Sequence, residues 1–124
     1  MSMRTKKAVI YCRSACVEQA NPLSSIAKQE TECRLFAEKN GYEVAQVFHD
    51  CGCTGLNIDR PAMRLMLVTL LASPEPCAVI TTSIERLARD VSDFASICKI
   101  VGGLGSEFQF TSDHDAAKAA EGAV

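Results

Sequence analysis

Four arginines are the residues of this chain best suited to chemistry: Arg13, Arg60, Arg86 and Arg89. Each of them taken alone would be an ordinary solvated surface residue. Gathered at one place, their guanidinium groups would repel one another unless an anion lay among them. Arginine also carries a planar fork of N–H donors that matches the oxygens of a phosphate. We therefore expect a phosphate-binding site if the fold brings these side chains together.

Hydrophobic patterns predict the elements that must position these arginines. Apolar, partly β-branched runs predict strands at Ala8–Cys12, Tyr42–Phe48, Cys77–Thr81 and Glu107–Thr111. Apolar stripes at helical spacing predict helices from about Ser25 to Asn40, from near Asp59 to Pro74, and from Asp90 to Val101. Gly41 is expected to end the first helix and Asp59 to cap the second, whose apolar stripe is Met63, Leu67, Leu70 and Leu71.

The order of these elements predicts an α/β fold. Strands that alternate with helical crossovers form a mostly parallel sheet, here of four to five strands, with helices on both faces. In such a three-layer sandwich the functional residues gather at the carboxyl ends of the strands. That edge would hold residues 13–19, 50–60 and 82–89, which include all of the arginines named above.

Four short motifs follow one another along the chain. The first strand ends in Tyr11-Cys12-Arg13-Ser14-Ala15 with Gln19 after it, and a helix start at Ser25 leads to Gln29. Further on come Gly55 with Asp59-Arg60-Pro61, and then Glu85-Arg86-Leu87-Ala88-Arg89. In this order and spacing the motifs resemble those of the catalytic domain of serine site-specific recombinases, the resolvase and invertase family. The resemblance extends from residue 7 to about residue 112.

This resemblance implies a resolvase-like fold and a specific reaction. In the family a serine attacks a DNA phosphate in line, forms a covalent 5′-phosphoserine and frees a 3′-hydroxyl, without a metal ion or another cofactor. The arginines would stabilise the charge on the trigonal-bipyramidal phosphorus. Tyr11 belongs to the first motif, Glu85 would position or shuttle a proton, and Gln19 and Gln29 would support the turn. The implied partner is duplex DNA, bound by dimers and tetramers of the domain.

Two positions depart from the family pattern. The serine nucleophile aligns with Ala15, whose methyl group cannot attack phosphorus. The acidic residue is Glu85 where the family usually has aspartate, and this lengthens the side chain by one methylene. We therefore expect impaired catalysis with retained affinity for phosphate or DNA. Such a chain would act as a regulator, alone or paired with an intact recombinase.

Ser14 is the alternative nucleophile. Successive side chains of a strand point to opposite faces, so Tyr11, Arg13 and Ala15 would share one side and Ser14 would face the other. A bulge at the strand end would be needed to turn Ser14 toward the arginines. Two alternatives stay open: an active recombinase that uses Ser14, and a module that holds a small phosphate without DNA. A receiver-like signalling domain is disfavoured because Arg13 stands where its acids would be.

Length and charge limit the remaining possibilities. A chain of 124 residues suffices for one domain, expected at residues 1–112, with a small, polar and frayed tail at 113–124. With 13 Lys and Arg against 15 Asp and Glu, the chain has no overall basic excess. Contact with DNA would then depend on the local arginine cluster and not on a global field.

Seven cysteines are many for this length, but neither a secretion signal nor CxxC spacing accompanies them. Cys33, Cys77 and Cys98 are therefore expected as reduced, apolar side chains of the core.

A metal site at His49, Cys51 and Cys53 is disfavoured, because a second ligand pair at zinc spacing is missing. No apolar run approaches the length of a membrane span, and the basic N-terminus leads into a strand instead of a signal-peptide core. The expected location is the cytoplasm.

Overall fold

The structure of the protein, a computed structural model, describes residues 6–14, 25–51, 61–73, 76–83, 91–103 and 105–112. These ranges contain β1 (Lys6–Ser14), α1 (Ser25–Lys39), β2 (Tyr42–Cys51), α2 (Pro61–Ala72), β3 (Ala78–Thr81), α3 (Val91–Gly103) and β4 (Glu107–Phe110). Every predicted element is therefore present. The first two strands extend further toward the predicted functional edge than their apolar runs indicated, since β1 reaches Ser14 and β2 reaches Cys51.

The strands form one parallel sheet in the order β2-β1-β3-β4. Strand β1 is central and is buried from Ala8 to Ser14, which explains its unbroken apolar run: a parallel strand covered on both faces has no polar side. Strand β2 lies at an edge of the sheet. Its pairing with β1 shifts by one residue, since Val44 pairs with Ala8 and Gln46 with Val9. Such a bulge makes an edge strand a poorer template for pairing with another chain.

Helices cover both faces of this sheet. On one face α1 packs through Cys33 and Ala37 against Ala8 and Ile10 of β1. On the other face α2 and α3 enclose a larger core, whose buried members are Val9, Tyr11, Phe48, Met63, Met66, Leu70, Cys77, Val79, Ile97, Val101 and Phe110. The predicted three-layer α/β sandwich, with a parallel sheet of four strands, is confirmed. Among the described helices, none is long and apolar enough to cross a membrane.

Two helix predictions can be checked in detail. Gly41 adopts a φ of 75° directly after α1, and the backbone N–H of Asn40 donates to the carbonyl of Phe36, so Gly41 ends the helix as expected. The predicted apolar stripe of α2 is wrong at Leu71, which is exposed, whereas Met66 is buried. Because α2 presents the row Met63, Met66 and Leu70 to the sheet, Leu71 lies one residue past that row and projects toward solvent.

The cysteines whose side chains the structure describes are free thiols: Cys12, Cys33, Cys77 and Cys98. Cys33 and Cys77 are buried, as predicted, while Cys98 is only partly buried. Burial raises the pKa of the Cys33 thiol far above its ordinary value, and the neighbouring Cys12 thiol adds to this effect. Burial also raises the pKa of the Cys98 thiol. The thiols of Cys33 and Cys98 therefore stay protonated and act as apolar side chains.

Candidate functional site

The carboxyl end of β1 carries the predicted residues Tyr11, Arg13 and Ser14. In the register with β2, Arg13 lies opposite Asp50 and Ser14 opposite Cys51. Tyr11 belongs to the core beneath α2 and α3, and Cys12 to the core beneath α1. Because side chains alternate along a strand, Arg13 occupies a position on the α2 side of the sheet and Ser14 a position on the α1 side.

Asp50 joins β1, β2 and α2 at this edge of the sheet. Its Oδ2 accepts hydrogen bonds from the hydroxyl of Tyr11 at 2.8 Å and from the backbone N–H of Met63 at 3.0 Å. Its Oδ1 accepts a hydrogen bond from the backbone N–H of Ala62 at 2.9 Å. The two N–H groups belong to the first turn of α2, where they have no partner within the helix, so Asp50 serves as a cap contributed by a neighbouring strand.

This cap also stabilises the buried carboxylate of Asp50. The partial positive charge at the N-terminus of α2 favours a carboxylate, and the three donors satisfy a charge that is only 3% exposed. The start of α2, which follows Arg60 in the chain, is thereby fixed to the ends of β1 and β2. The predicted cap Asp59 lies outside the described residues.

Gln29 of α1 holds the end of β1 from the opposite face. Its side-chain carbonyl accepts a hydrogen bond from the backbone N–H of Arg13 at 3.1 Å, and its amide donates to the backbone carbonyl of Arg13 at 2.9 Å. The side-chain amide thus takes the place of a neighbouring strand for one residue. Gln29 is buried, so loss of this pairing would leave two backbone groups in an apolar setting.

The two polar residues at the end of β1 are both buried. Arg13 is 8% exposed and Ser14 is 4% exposed. Both take part in further interactions. Arg13 lies opposite Asp50, the residue that caps the start of α2, in the register of the two strands. Ser14 occupies a position on the α1 side of the sheet and is less exposed still.

The third segment of the predicted edge follows β3. The chain that follows β4 pairs with the start of this segment. The backbone N–H of Thr111 donates to the carbonyl of Thr81 at 3.1 Å, and that of Ser112 donates to the carbonyl of Thr82 at 3.2 Å. The buried hydroxyl of Thr81 has no hydrogen-bond partner within the described part of the chain. This extra pairing supports the segment that leads toward Glu85.

The remaining predicted site residues lie outside the described ranges: Ala15, Gln19, Arg60, Glu85, Arg86 and Arg89. The structure therefore brings together Tyr11, Arg13, Ser14 and Gln29. The convergence of the four arginines stays a prediction.

Asp50 is the residue whose role sequence reasoning missed. A signal was available: Asp50 is two residues after Phe48 on an extended strand, so alternation assigns it to the same face as a buried aromatic side chain. A buried acid needs hydrogen-bond donors, and the nearest unsatisfied donors are those of a helix start.

Two other features lie away from this edge. A cleft of about 620 Å³ at the amino end of the sheet is lined by residues that include Lys6, Tyr42, Ser106 and Glu107, and none of the predicted site residues lines it. Among the described side chains, no group of three or more His, Cys, Asp and Glu could hold a metal ion.

His49 belongs to a surface cluster on the α1 side. Its Nε2 lies 2.9 Å from Oε1 of Glu30, and Nε of Arg34 donates to Oε2 of Glu30 at 2.8 Å. Arg34 is the largest cause that lowers the pKa of the Glu30 carboxyl below its ordinary value. Of the other two residues of the disfavoured metal site, Cys53 and the side chain of Cys51 lie outside the described part.

Comparison with known proteins agrees with this architecture. Residues 8–124 match the protein family described as "Resolvase, N terminal domain". The fold is similar to that of the N-terminal catalytic domain of TP901-1 integrase, with a TM-score of 0.79 and 23% identity over 94% of this chain and 91% of that one. It is also similar to a resolvase family site-specific recombinase from Streptococcus pneumoniae, with a TM-score of 0.72 and 21% identity over 94% and 83% of the two chains.

A third similar structure is the C-terminal catalytic domain of ISC1926 TnpA, an IS607-like serine recombinase, with a TM-score of 0.69 and 24% identity over 86% of this chain and 70% of that one. A search of curated proteins finds no match.

Proposed function

Because the chain belongs to the resolvase N-terminal domain family, we propose that it binds the phosphodiester backbone of duplex DNA without cutting it. The residues proposed to contact the backbone are Arg13, Arg60, Arg86 and Arg89. The single observation that carries the proposal is Ala15, which the resemblance of the first motif to that of the family aligns with the serine nucleophile. The side chain of alanine has no atom that can form a bond to phosphorus, so the covalent step lacks its first reactant.

The frame around the missing nucleophile supports retained binding. The end of β1 is held by Gln29 on one face and the start of α2 by Asp50 on the other. Arg13 is nearly buried, so its guanidinium would meet a phosphate at the floor of the site and would not steer DNA from outside. Arg60, Arg86 and Arg89 are proposed to supply the outer contacts, and Glu85 and Gln19 to orient them. Bidentate arginine–phosphate pairs are strong enough for this role without a basic excess.

The alternative of an active recombinase that uses Ser14 has less support. Ser14 is 4% exposed and occupies the position on the α1 side of β1, opposite to that of Arg13. A nucleophile must reach the phosphorus in line, and a buried side chain on the side opposite to Arg13 cannot do so unless the strand end rearranges.

Binding is tested by fluorescence anisotropy of a labelled duplex at two salt concentrations. Affinity should fall steeply with salt, because each arginine that neutralises a phosphate releases a counterion. Arg89→Ala should reduce both affinity and the salt slope, whereas Arg64→Ala, an exposed arginine on α2, should leave both unchanged. Displacement of the duplex by millimolar inorganic phosphate, with a flat salt response, would favour the small-anion module instead.

Catalysis is tested with supercoiled DNA that carries candidate sites, followed by denaturing electrophoresis for a protein–DNA adduct. The chain itself should form no adduct, and Ser14→Ala should behave in the same way. Ala15→Ser supplies the hydroxyl at the family position and is the matched gain-of-function variant. A covalent adduct formed by the unaltered chain, located by mass spectrometry of the linked peptide, would contradict the proposal.

The proposed setting is the cytoplasm, where the domain would bind DNA as a dimer or tetramer, with itself or with an intact recombinase. A mixed assembly would contain one subunit that holds DNA but cannot cleave it, so it would lower the activity of its partner. Titrating the chain into a cleavage reaction of an active relative tests this. Inhibition should saturate at stoichiometric amounts, and the same inhibition by Arg89→Ala would contradict a role for DNA binding.

A further inference from the structure

The cleft at the amino end of the sheet contains charged and polar groups that the proposed DNA site does not use. Its volume of about 620 Å³ is that of a pocket for a small organic ligand. Cys77, Ala78 and Ser106 line the cleft and are buried, whereas Lys6 and Glu107 line it and are exposed. The cleft therefore has a buried floor and a charged rim.

The rim presents opposite charges on one face of the sheet. Lys6 lies two residues before Ala8, which belongs to the core beneath α1, and Glu107 is the register partner of Ala78 in the same core. Because side chains alternate along a strand and register partners share a face, Lys6 and Glu107 both occupy positions on the α1 side. Neither side chain forms an ion pair or a hydrogen bond with another described residue. Both charges are thus available to a ligand.

The distance across the rim sets the length of that ligand. Ala8 pairs with Ala78, and Ala78 with Glu107, so β1 and β4 are two strand spacings apart, about 10 Å. Lys6 lies about 6.6 Å further along β1, which places its backbone about 12 Å from that of Glu107. With both side chains upright, a charge-assisted hydrogen bond of about 2.8 Å at each end leaves about 6 Å between the charged groups of the ligand. An extended chain advances about 3.5 Å per residue, so the two termini of a dipeptide match this separation.

The floor of the cleft supplies a hydroxyl without a partner. Ser106 is 9% exposed, and its hydroxyl oxygen has no hydrogen-bond partner among the described residues. An unpaired buried hydroxyl costs free energy, so a ligand that offers it a polar group gains affinity. One rotamer change about the Cα–Cβ bond would turn this hydroxyl into the cleft. The peptide group of a dipeptide offers it both a donor and an acceptor.

Tyr42 adds a donor beside the positive end of the rim. It lines the cleft and is the register partner of Lys6. Burial raises the pKa of its hydroxyl, and the carboxylate of Glu107 raises this pKa further. The negative charge of Glu107 on β4 therefore acts across the cleft on β2, the strand at the other edge of the sheet. The hydroxyl of Tyr42 stays protonated and can donate to an anionic group that lies near Lys6.

We propose that the cleft at the amino end of the sheet binds a dipeptide with both termini free, its carboxylate on Lys6 and its ammonium on Glu107. A simple anion would be repelled by Glu107, and a simple cation by Lys6 and Lys7. A single amino acid is too short to reach both ends of the rim. The cleft lies at the edge of the sheet opposite to the candidate site, so this binding is independent of the proposed binding of DNA.

An NMR titration of the full chain, without DNA, tests the site. The probe is alanyl-alanine, compared with its N-acetyl derivative, its C-terminal amide and free alanine. Alanyl-alanine should bind saturably and shift the backbone amide signals of Gly105, Ser106 and Glu107, while that of Arg13 stays in place. The other three ligands should each bind at least about tenfold more weakly, because one charge-assisted hydrogen bond is lost. Absence of binding by alanyl-alanine, or equal affinity for all four ligands, would overturn the proposal.

Charge-neutral variants assign the two ends of the ligand. Lys6→Gln should remove the preference for alanyl-alanine over its C-terminal amide and keep the preference over the N-acetyl form. Glu107→Gln should do the reverse. Lys28→Gln and Glu32→Gln, which neutralise exposed residues of α1, are the matched controls and should retain both preferences. Retention of both preferences in the two cleft variants, or their loss in the controls, would contradict the assigned orientation.

Ser106→Ala separates a binding role from a structural one. The variant should bind alanyl-alanine about fivefold more weakly, because the hydroxyl no longer pairs with the ligand. Its midpoint of urea unfolding without ligand should be unchanged or raised, because an unpaired buried hydroxyl is removed. Unchanged affinity, or weaker binding together with a lowered midpoint, would contradict the role assigned to this hydroxyl.

Discussion

Replacing Asp50 by asparagine tests whether one carboxylate holds the candidate site together. The carboxylate accepts three hydrogen bonds, from the Tyr11 hydroxyl and from the backbone N–H groups of Ala62 and Met63. Asparagine has the same shape but only one acceptor oxygen. With that oxygen at the Oδ2 position, the bonds to Tyr11 and Met63 remain, and an NH₂ group faces the N–H of Ala62.

The expected destabilisation follows from these contacts. A hydrogen bond to a charged group contributes about 1.5–3 kcal/mol, and Asp50→Asn loses one such bond while the other two become neutral and weaker. We expect the free energy of unfolding to fall by about 3 kcal/mol. Tyr11→Phe removes only the hydroxyl and leaves both backbone donors satisfied, so it should cost about 1.5 kcal/mol.

The assay is urea unfolding followed by circular dichroism, with the slope of the transition compared between variants. Glu43→Gln, an exposed position on the same strand, is the control and should change stability by less than about 0.5 kcal/mol. In the double variant that combines Asp50→Asn with Tyr11→Phe, the destabilisation caused by Tyr11→Phe should be smaller than in the single variant, because both substitutions act on one hydrogen-bond network. If Asp50→Asn is as stable as the unaltered chain, the capping role assigned to this carboxylate is refuted.

Three further outcomes are expected from the same unfolding assay. Gln29→Met should destabilise by about 2–4 kcal/mol, because it leaves the backbone N–H and carbonyl of Arg13 buried without these partners; a loss below about 1 kcal/mol would contradict this. Thr81→Val should be neutral or stabilise by about 1 kcal/mol, since the hydroxyl has no partner in the described ranges; marked destabilisation would reveal one. The pKa of the Glu30 carboxyl is lowered in the folded chain, chiefly by its hydrogen bond with Arg34. The ionised carboxylate therefore contributes to folding stability above its ordinary pKa of 4.5, and this contribution is lost as pH falls through the lower pKa of the folded chain. The stabilities of Glu30→Gln and the unaltered chain should therefore differ above pH 4.5 and converge below it.

The sequence predicted the architecture because the fold depends on periodic patterns that each segment carries by itself. The unbroken apolar run of β1 predicts a strand covered on both faces, and Gly41 marks the end of α1 by its backbone conformation. Local patterns do not show which side of a helix meets the sheet when both sides are apolar. The error at Leu71 arose in this way, because the α2 sequence has too little polar contrast to distinguish its two sides.

The geometry of the site depends on contacts between distant segments, and these were less predictable. Gln29 was expected near the turn only through the resemblance to recombinases, and its pairing with the backbone of Arg13 follows from how α1 packs on β1. Asp50 and Met63 are separated by twelve residues in the chain between them, and their contact needs β2 to extend three residues past Phe48 to Cys51. An apolar run marks where a strand is covered, not where its hydrogen bonding ends.

These contacts also bear on the proposed loss of the nucleophile. The hydrogen bonds of Gln29 and Asp50 hold the ends of β1, β2 and α2, and none of them uses the side chain of residue 15. They contribute to folding whether or not DNA is cut. Conversely, a serine introduced at position 15 would not need any of these bonds to be rebuilt. Ala15→Ser therefore separates two causes of the proposed inactivity. Adduct formation by this variant would show that only the hydroxyl is missing, and continued inactivity would point to the longer arm of Glu85.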